Sequence, residues 1–240
     1  MRHIVFLTGA GMSEESGLQT FRGAGGLWEG HPVEEVATPQ AWASNPERVM
    51  RFYNERRRAL IDTKPHDGHK AIAEMESISG IRVSIITQNV DDLHERAGSS
   101  NVLHLHGELR WARSTGPSET LHKISGWELK TSACCPEGFP LRPHVVWFGE
   151  EVPAMSIAWD IMATADQVVV VGTSLRVYPA AGLLDGVPAH AKILVIDPHA
   201  DELPVWQATK WKVSASQGCR KYFNHLIDRE VSSGREQGAR

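Results

Sequence analysis

The chain has 240 residues and a formal net charge of −4, from 25 Lys and Arg against 29 Asp and Glu. Hydrophobic residues make up 41% and charged ones 22%, which excludes an intrinsically disordered chain. The mild acidic excess excludes the basic footprint of a dedicated nucleic-acid or anionic-membrane binder, so neither partner is expected. Three cysteines are too few for a disulfide scaffold or a four-cysteine zinc site, and they point to a reducing, cytoplasmic compartment.

Short β-branched runs alternate with amphipathic stretches. His3–Leu7, Ile81–Thr87, Val102–Leu105, Gln167–Val171 and Lys192–Ile196 read as strands buried on both faces. Helices are expected over Pro46–Ile61, with Asn45 as cap, and over Gly68–Ser77, Val90–Ala97, Ala154–Ala165 and Lys221–Val231. This alternation predicts an α/β, Rossmann-like, doubly wound parallel sheet. The large part is assigned to about 1–30, 80–107 and 144–230, and a helical part to about 31–79. Residues 108–143 are rich in Ser, Thr, Gly and Pro and are too long for an ordinary loop, so a small inserted module is expected there. The first apolar run stops at Leu7, which gives no signal-peptide core, and the polar stretch from Ser232 reads as a frayed tail. No run approaches the ~18 apolar residues of a membrane span.

The first strand runs into Gly9-Ala10-Gly11-Met12-Ser13-Glu14. A glycine turn between strand and helix lets backbone N–H groups approach a phosphate. Glu14 stands where the dinucleotide fingerprint of dehydrogenases needs its third glycine, so hydride transfer by that layout is disfavoured. Arg22 could reach a phosphate and Phe21 could cover a ring, while an ordinary tight turn is the alternative. Strand Ile81–Thr87 ends in Gln88, Asn89 and Asp91, two amides and a carboxylate at the end of a parallel strand, where such sheets keep ligands. Their alternative is helix capping. His104 and His106 are two apart on a strand and share a face, and an imidazole beside Gly107 can act as a general base.

Six blocks stand in order: GAGMSEESGLQTFR, GGLW, TQNVDDLHERAG, LHLHGEL, LRPHVVWFGE and VVGTSLRVYPAAG. With them the chain resembles the sirtuins, NAD-dependent protein-lysine deacylases, over roughly residues 3 to 227. The resemblance implies that Gly9, Ala10, Gly11, Ser13 and Arg22 hold the phosphates and nearby ribose, with Phe21 and Trp28 beside them. It implies Gln88, Asn89 and Asp91 for nicotinamide and ribose, and Gly172, Thr173, Ser174, Asp197 and Gly218 for the adenosine half. His106 would be the general base, with Asn89 beside it in the catalytic step. The acyl oxygen of a modified lysine would displace nicotinamide, giving free lysine and O-acyl-ADP-ribose. The segment with Val145, Phe148, Gly149 and Glu150 would add a strand to an acyl-lysine peptide or protein, and the enzyme would act as a monomer.

Four departures or special features stand out. Tyr53 and Arg56, three apart on a helix, resemble the Tyr-x-x-Arg signature of class III sirtuins, which prefer succinyl- and malonyl-lysine. A solvated run, Arg56 to Arg58, is the alternative reading. The family's zinc-binding Cys-x-x-Cys pairs are absent: Cys134 and Cys135 are adjacent, and completion by His122 or His144 is disfavoured. A zinc-free module packed around Trp111, Trp127, Leu121 and Leu129 is expected. Gln19 stands where the family often has Pro, and Asp197 replaces a usual Asn, which disfavours a 2′-phosphate. Mono-ADP-ribosyl transfer and a non-catalytic NAD- or ADP-ribose-binding module are the competing functions.

Overall fold

The computed structural model describes residues 1–18, 27–28 and 30–237, with backbone alone at Leu27 and 229–237. The elements in chain order are β1 (Arg2–Thr8), α1 (Gly11–Glu14), β2 (Leu27–Trp28), β3 (His31–Pro32), α2 (Val33–Val36), α3 (Pro39–Ser44), α4 (Pro46–Asp62) and α5 (Asp67–Met75). Then come β4 (Ile81–Thr87), α6 (Leu93–Ala97), β5 (Val102–His104), β6 (Gly107–Ser114), β7 (Leu121–Lys123) and β8 (Leu141–Val145). The chain closes with α7 (Met155–Met162), β9 (Gln167–Val171), β10 (Lys192–Ile196), β11 (Thr209–Trp211) and α8 (Ala215–Gln237).

Six strands form one sheet in the order β11-β10-β9-β1-β4-β5, and every pairing in it is parallel. Side chains alternate across it. Ile4 and Phe6 pack under α5 and α8 with Ile72, Met75, Tyr222 and Leu226. Val5 and Leu7 face Ala158 and Met162 of α7 and the 3-10 turn Ala180–Gly186. β1 is buried on both faces, which is why its sequence is a continuous apolar run. The chain leaves β1 toward β4 and β5 on one side and reaches β9, β10 and β11 on the other. The order therefore reverses between β1 and β9, and the crevice at their carboxyl ends is where such sheets bind ligands.

Several elements differ from the sequence reading. α5 was grouped with the helical part, but it packs on the sheet against α8, because its Ala71, Ile72 and Met75 stripe fits that face. α8 starts six residues before Lys221 and runs to Gln237, so the stretch from Ser232 to there is helical. A helix docked on a sheet propagates at one hydrogen bond per added residue, which carries it past weak formers. Residues 108–143 hold a three-stranded antiparallel sheet, β7-β6-β8. Its core is Ala112, Ile124, Leu129, Cys135 and Leu141 with Met50 of α4. Leu129 is buried as expected, whereas Leu121 is 47% and Trp127 39% exposed, so those two do not hold the module. Two α4 side chains pin it instead. Arg57 donates to the carbonyls of Leu109 (2.6 Å) and Trp127 (2.8 Å), and Asn54 exchanges two bonds with the Leu129 backbone. No described helix is long and apolar enough to cross a membrane.

Behind the carboxyl end of β1, the rings of His66, His69 and His94 stack at 4.3 and 5.0 Å. Burial, with neighbouring histidines adding to it, lowers His69 from the ordinary 6.5 to about 2. Burial likewise lowers His94 to about 4. Both rings are neutral when folded and titrate normally when unfolded. Their stabilising contribution is therefore complete above pH 6.5 and is lost as the pH falls below it. Urea unfolding at stepped pH should show stability falling from pH 6.5 toward 4, by up to about 1.4 kcal/mol per unit for each ring. A flat profile over that range would contradict the neutral stack.

Candidate active site

A cavity of about 790 Å³ occupies the crevice between β1 and β9. Gly9, Ala10, Gly11 and Ser13 line it after β1, Gln88, Asn89 and Asp91 after β4, Gly172, Thr173 and Ser174 after β9, and Asp197 after β10. Trp28, Arg56, His106, Val145, Phe148, Gly149 and Glu150 complete the sequence-derived set on its wall. Phe21 and Arg22 lie outside the described residues, as does Gln19.

The glycines are required by the way two loops meet. The Gly9 N–H donates to Val171 O at 3.0 Å and the Gly11 N–H to Gly172 O at 2.8 Å. A Cβ on Gly9 would stand 2.6 Å from the Thr173 Cβ, and one on Gly11 2.8 Å from the Gly172 Cα. Gly172 has φ +60, and a Cβ there would lie 2.3 Å from the Met12 nitrogen. α1 is a single turn, Gly11–Glu14, which starts directly behind the glycine turn.

Asn89 and Asp91 are connected through Ser13. Asn89 Nδ2 donates to Ser13 Oγ (3.1 Å), and Ser13 Oγ donates to Asp91 Oδ2 (3.0 Å). Asp91 Oδ1 accepts from the Leu93 N–H at 3.2 Å, so Asp91 holds the first N–H of α6 while it lines the cavity. Burial pushes the Asp91 carboxyl up, against the pull of Leu93 and Ser13. Gln88 Nε2 donates to Thr173 Oγ1 at 3.0 Å, tying the β4 loop to the β9 loop.

The two neighbouring histidines part company. Both Nδ1 atoms face backbone carbonyls, His104 that of Asn89 (2.9 Å) and His106 that of Gln88 (3.0 Å). His104 Nε2 meets Glu95 Oε1 at 2.8 Å. Burial works against charge on His104, but Glu95 and the Asn89 carbonyl outweigh it and raise the ring's pKa. Burial lowers that of His106, against the pull of the Gln88 carbonyl. With Nδ1–H given to Gln88, neutral His106 carries its lone pair on Nε2, the form a general base needs. Gly107 has φ +78, and a Cβ there would lie 2.2 Å from His144 O, so only glycine fits this turn, which places His106 at the corner between the two sheets.

The segment after β8 is held by the protein's own backbone and side chains. Only Val145 is in a strand, and it pairs with Gly107. The N–H groups of Val146, Phe148 and Glu150 are given to His106, Ala37 and Trp147. The Glu150 side chain is turned inward. It binds Arg142 at 2.6 and 3.0 Å and accepts from the Trp147 N–H at 2.7 Å. Burial raises the Glu150 pKa, but these bonds prevail and hold it below the usual carboxylate range. Arg142 also stacks on the Trp147 ring, 3.3 Å from its centroid.

The expected Tyr53–Arg56 clamp is divided. Arg56 lines the cavity, stacks over the Phe52 ring at 4.0 Å and donates to Phe52 O. Tyr53 is fully buried and off the cavity wall, and its oxygen accepts from Trp147 Nε1 at 3.1 Å. Burial raises its pKa above the ordinary phenol value. Gly218 is also off the wall: a Cβ there would lie 2.1 Å from Ile196 Cγ2, so it is a packing glycine between α8 and β10. Ser214 and Ala215 line that end instead. Sequence reading missed Glu15, Leu175–Pro179 and Glu202, which also line the cavity. The VVGTSLRVYPAAG block held a signal for the second of these.

Residues 9–179 match the profile of the Sir2 family. The chain belongs to the Sir2 family. A protein of Bacteroides thetaiotaomicron named NAD-dependent protein deacylase is 50% identical over 203 residues, covering 82% of this chain and 86% of that one. A second so named, from Aggregatibacter actinomycetemcomitans, is 50% identical over 195 residues, 81% and 92% of the two chains. An ADP-ribose complex of a Sir2 homologue superposes with TM-score 0.87 at 38% identity, covering 95% and 93%. A Sir2–p53 peptide–NAD+ complex gives 0.75 at 29% identity, covering 93% of each chain.

The glycine contacts set a limit on this Sir2 chain. Gly172→Ala should lower stability by about 3 kcal/mol or more, from the left-handed backbone and the clash with Met12 together. For a chain this long that is on the order of 10 °C in Tm. Calorimetry showing an unchanged Tm would overturn the close approach of the two loops.

Proposed function

We propose that this NAD-dependent protein deacylase of the Sir2 family removes succinyl and malonyl groups from protein lysines in preference to acetyl groups. Its activity class rests on the family and on the 50% identical deacylases. The observation that carries the finer reading is Arg56, a guanidinium on the wall of the same cavity as His106.

The cavity fits NAD. Bare glycine backbone forms the cradle after β1, where no Cβ could stand. Ser13, Gln88, Asn89 and Asp91 would hold the nicotinamide and its ribose, and Asp197 the adenosine ribose. When bound, NAD supplies an electrophilic ribose carbon. His106 Nε2 takes the proton of a hydroxyl presented to it, and the Gln88 carbonyl stabilises the resulting imidazolium through Nδ1–H. Val146 is tied to His106 O at 2.9 Å, which fixes the substrate segment relative to the base. Arg56 offers forked donors to a carboxylate at the far end of the acyl chain. Tyr53 supports this wall from beneath: it accepts from Trp147 Nε1, and its ring lies 5.9 Å from that of Trp28.

The family's zinc does not fit the residues present. Cys135 is buried in the module core and accepts from Ser114 Oγ, Cys134 is exposed, and His122 Nε2 is bonded to Thr120. Among the described residues no three His, Cys, Asp or Glu side chains could hold a metal ion. Packing around Met50 and the Asn54–Arg57 contacts holds the module instead.

Mass spectrometry of a succinyl-lysine peptide with NAD should detect O-succinyl-ADP-ribose. Arg56→Met should lower succinyl kcat/KM by roughly tenfold or more and spare acetyl turnover, as loss of a charge-assisted pair predicts. Equal effects on both acyl groups would remove the preference. His106→Tyr should abolish turnover of either peptide while ADP-ribose still binds, and transfer of ADP-ribose to protein in place of deacylation would favour the transferase alternative. Elemental analysis of chelator-washed protein should give well under one zinc per chain, and stoichiometric zinc would overturn the metal-free module.

A further inference from the structure

We propose that Glu15 is a positioning residue for cofactor binding. It locks the glycine turn after β1 onto the first turn of α8 and thereby fixes the spacing of the walls at the adenosine end of the cavity. Both carboxylate oxygens are engaged there. Oε1 accepts from Ser214 Oγ at 2.9 Å and Ser216 Oγ at 2.7 Å, and Oε2 accepts from the Ser216 N–H at 2.8 Å. Ser214 O takes the first backbone bond of the helix, from the Gly218 N–H, so Ser214 is the cap residue of α8. Glu15 thus supplies, from 199 residues away in sequence, the anion that this helix start favours.

The glycine turn is restrained on its other sides by different groups. Ser13 ties it to Asn89 and Asp91 at the nicotinamide end. The Gly11 N–H ties it to Gly172 beneath, and His66 Nε2 donates to Met12 O behind. Glu15 restrains the side that borders Ser214, Ala215 and Asp197, all of which line the cavity. A carboxylate suits this place because its three partners are all donors. In Glu15→Gln the amide oxygen can keep the Ser216 N–H while Nε2 meets the two hydroxyls, so the change removes the negative charge at the helix start. The side chain acts on the cofactor through the wall, not on the reacting atoms, so its loss should weaken cofactor binding and spare the chemical step.

The inference rests on the NAD reading of the cavity, and the experiment separates the two. Isothermal titration of ADP-ribose and steady-state kinetics with NAD varied at saturating acyl-peptide are compared for the native chain and Glu15→Gln. Kd for ADP-ribose and KM for NAD should both rise roughly tenfold, the effect of losing a charged cap. Meanwhile kcat and the peptide KM should change by less than about twofold. The Ser216→Ala chain, changed at a residue off the cavity wall, removes one of the three bonds from the opposite side and should show the same split to a smaller extent, even if Glu15→Gln does not fold. Combining the changes should add little. Unchanged Kd and KM in either variant, or a fall in kcat parallel to the rise in KM, would overturn the positioning role. A native chain that bound no ADP-ribose would overturn the NAD reading and this inference together.

Discussion

The site depends on the contact of two backbones. The turn at Gly9–Gly11 lies against Gly172 with no side chain between them, and Gly11 N–H to Gly172 O at 2.8 Å closes the crevice at its floor. Every other wall of the cavity is referred to that floor. β1 and β9 are neighbours in the sheet, and the chain order reverses between them, so their loops splay apart above the contact and leave room for a ligand. The two loops can approach only because three positions lack a Cβ.

Polar side chains then join the loops laterally. Gln88 reaches Thr173, Ser13 bridges Asn89 and Asp91, and Glu15 reaches Ser214 and Ser216. Four loops that are distant in sequence become one rim. Preorganisation of this kind lets donors meet a ligand without reordering at the moment of binding.

The wall formed by α4 and the segment after β8 is built differently. The segment after β8 is held by Glu150 folding back on Arg142 and on the Trp147 N–H, with the Trp147 indole bonded to Tyr53. That chain of contacts runs from the inserted module to α4, the helix that also presents Arg56 to the cavity. The module is in turn pinned to α4 through Asn54 and Arg57. One helix therefore both presents Arg56 to the cavity and anchors the insertion.

The sequence by itself determined the parallel sheet, because strands buried on both faces must be continuous apolar runs, as in HIVFL and QVVVV. It also determined most of the rim, because polar residues and glycines directly after such strands have one place to go. Only the tertiary structure gave His104 and His106 opposite electrostatic surroundings. The two share residue type and neighbourhood, and the difference is the Glu95 carboxylate, brought to one ring by α6. It alone divided the Tyr53–Arg56 pair, since three-residue spacing sets a shared helix face but not how far each side chain sinks beneath Trp28 and Phe52. It alone turned Glu150 inward and made Gly218 a packing residue, because both outcomes follow from partners on other elements, Arg142 of β8 and Ile196 of β10. Local pattern fixes faces and loop positions, while burial and charge at each side chain are set by segments far away in the chain.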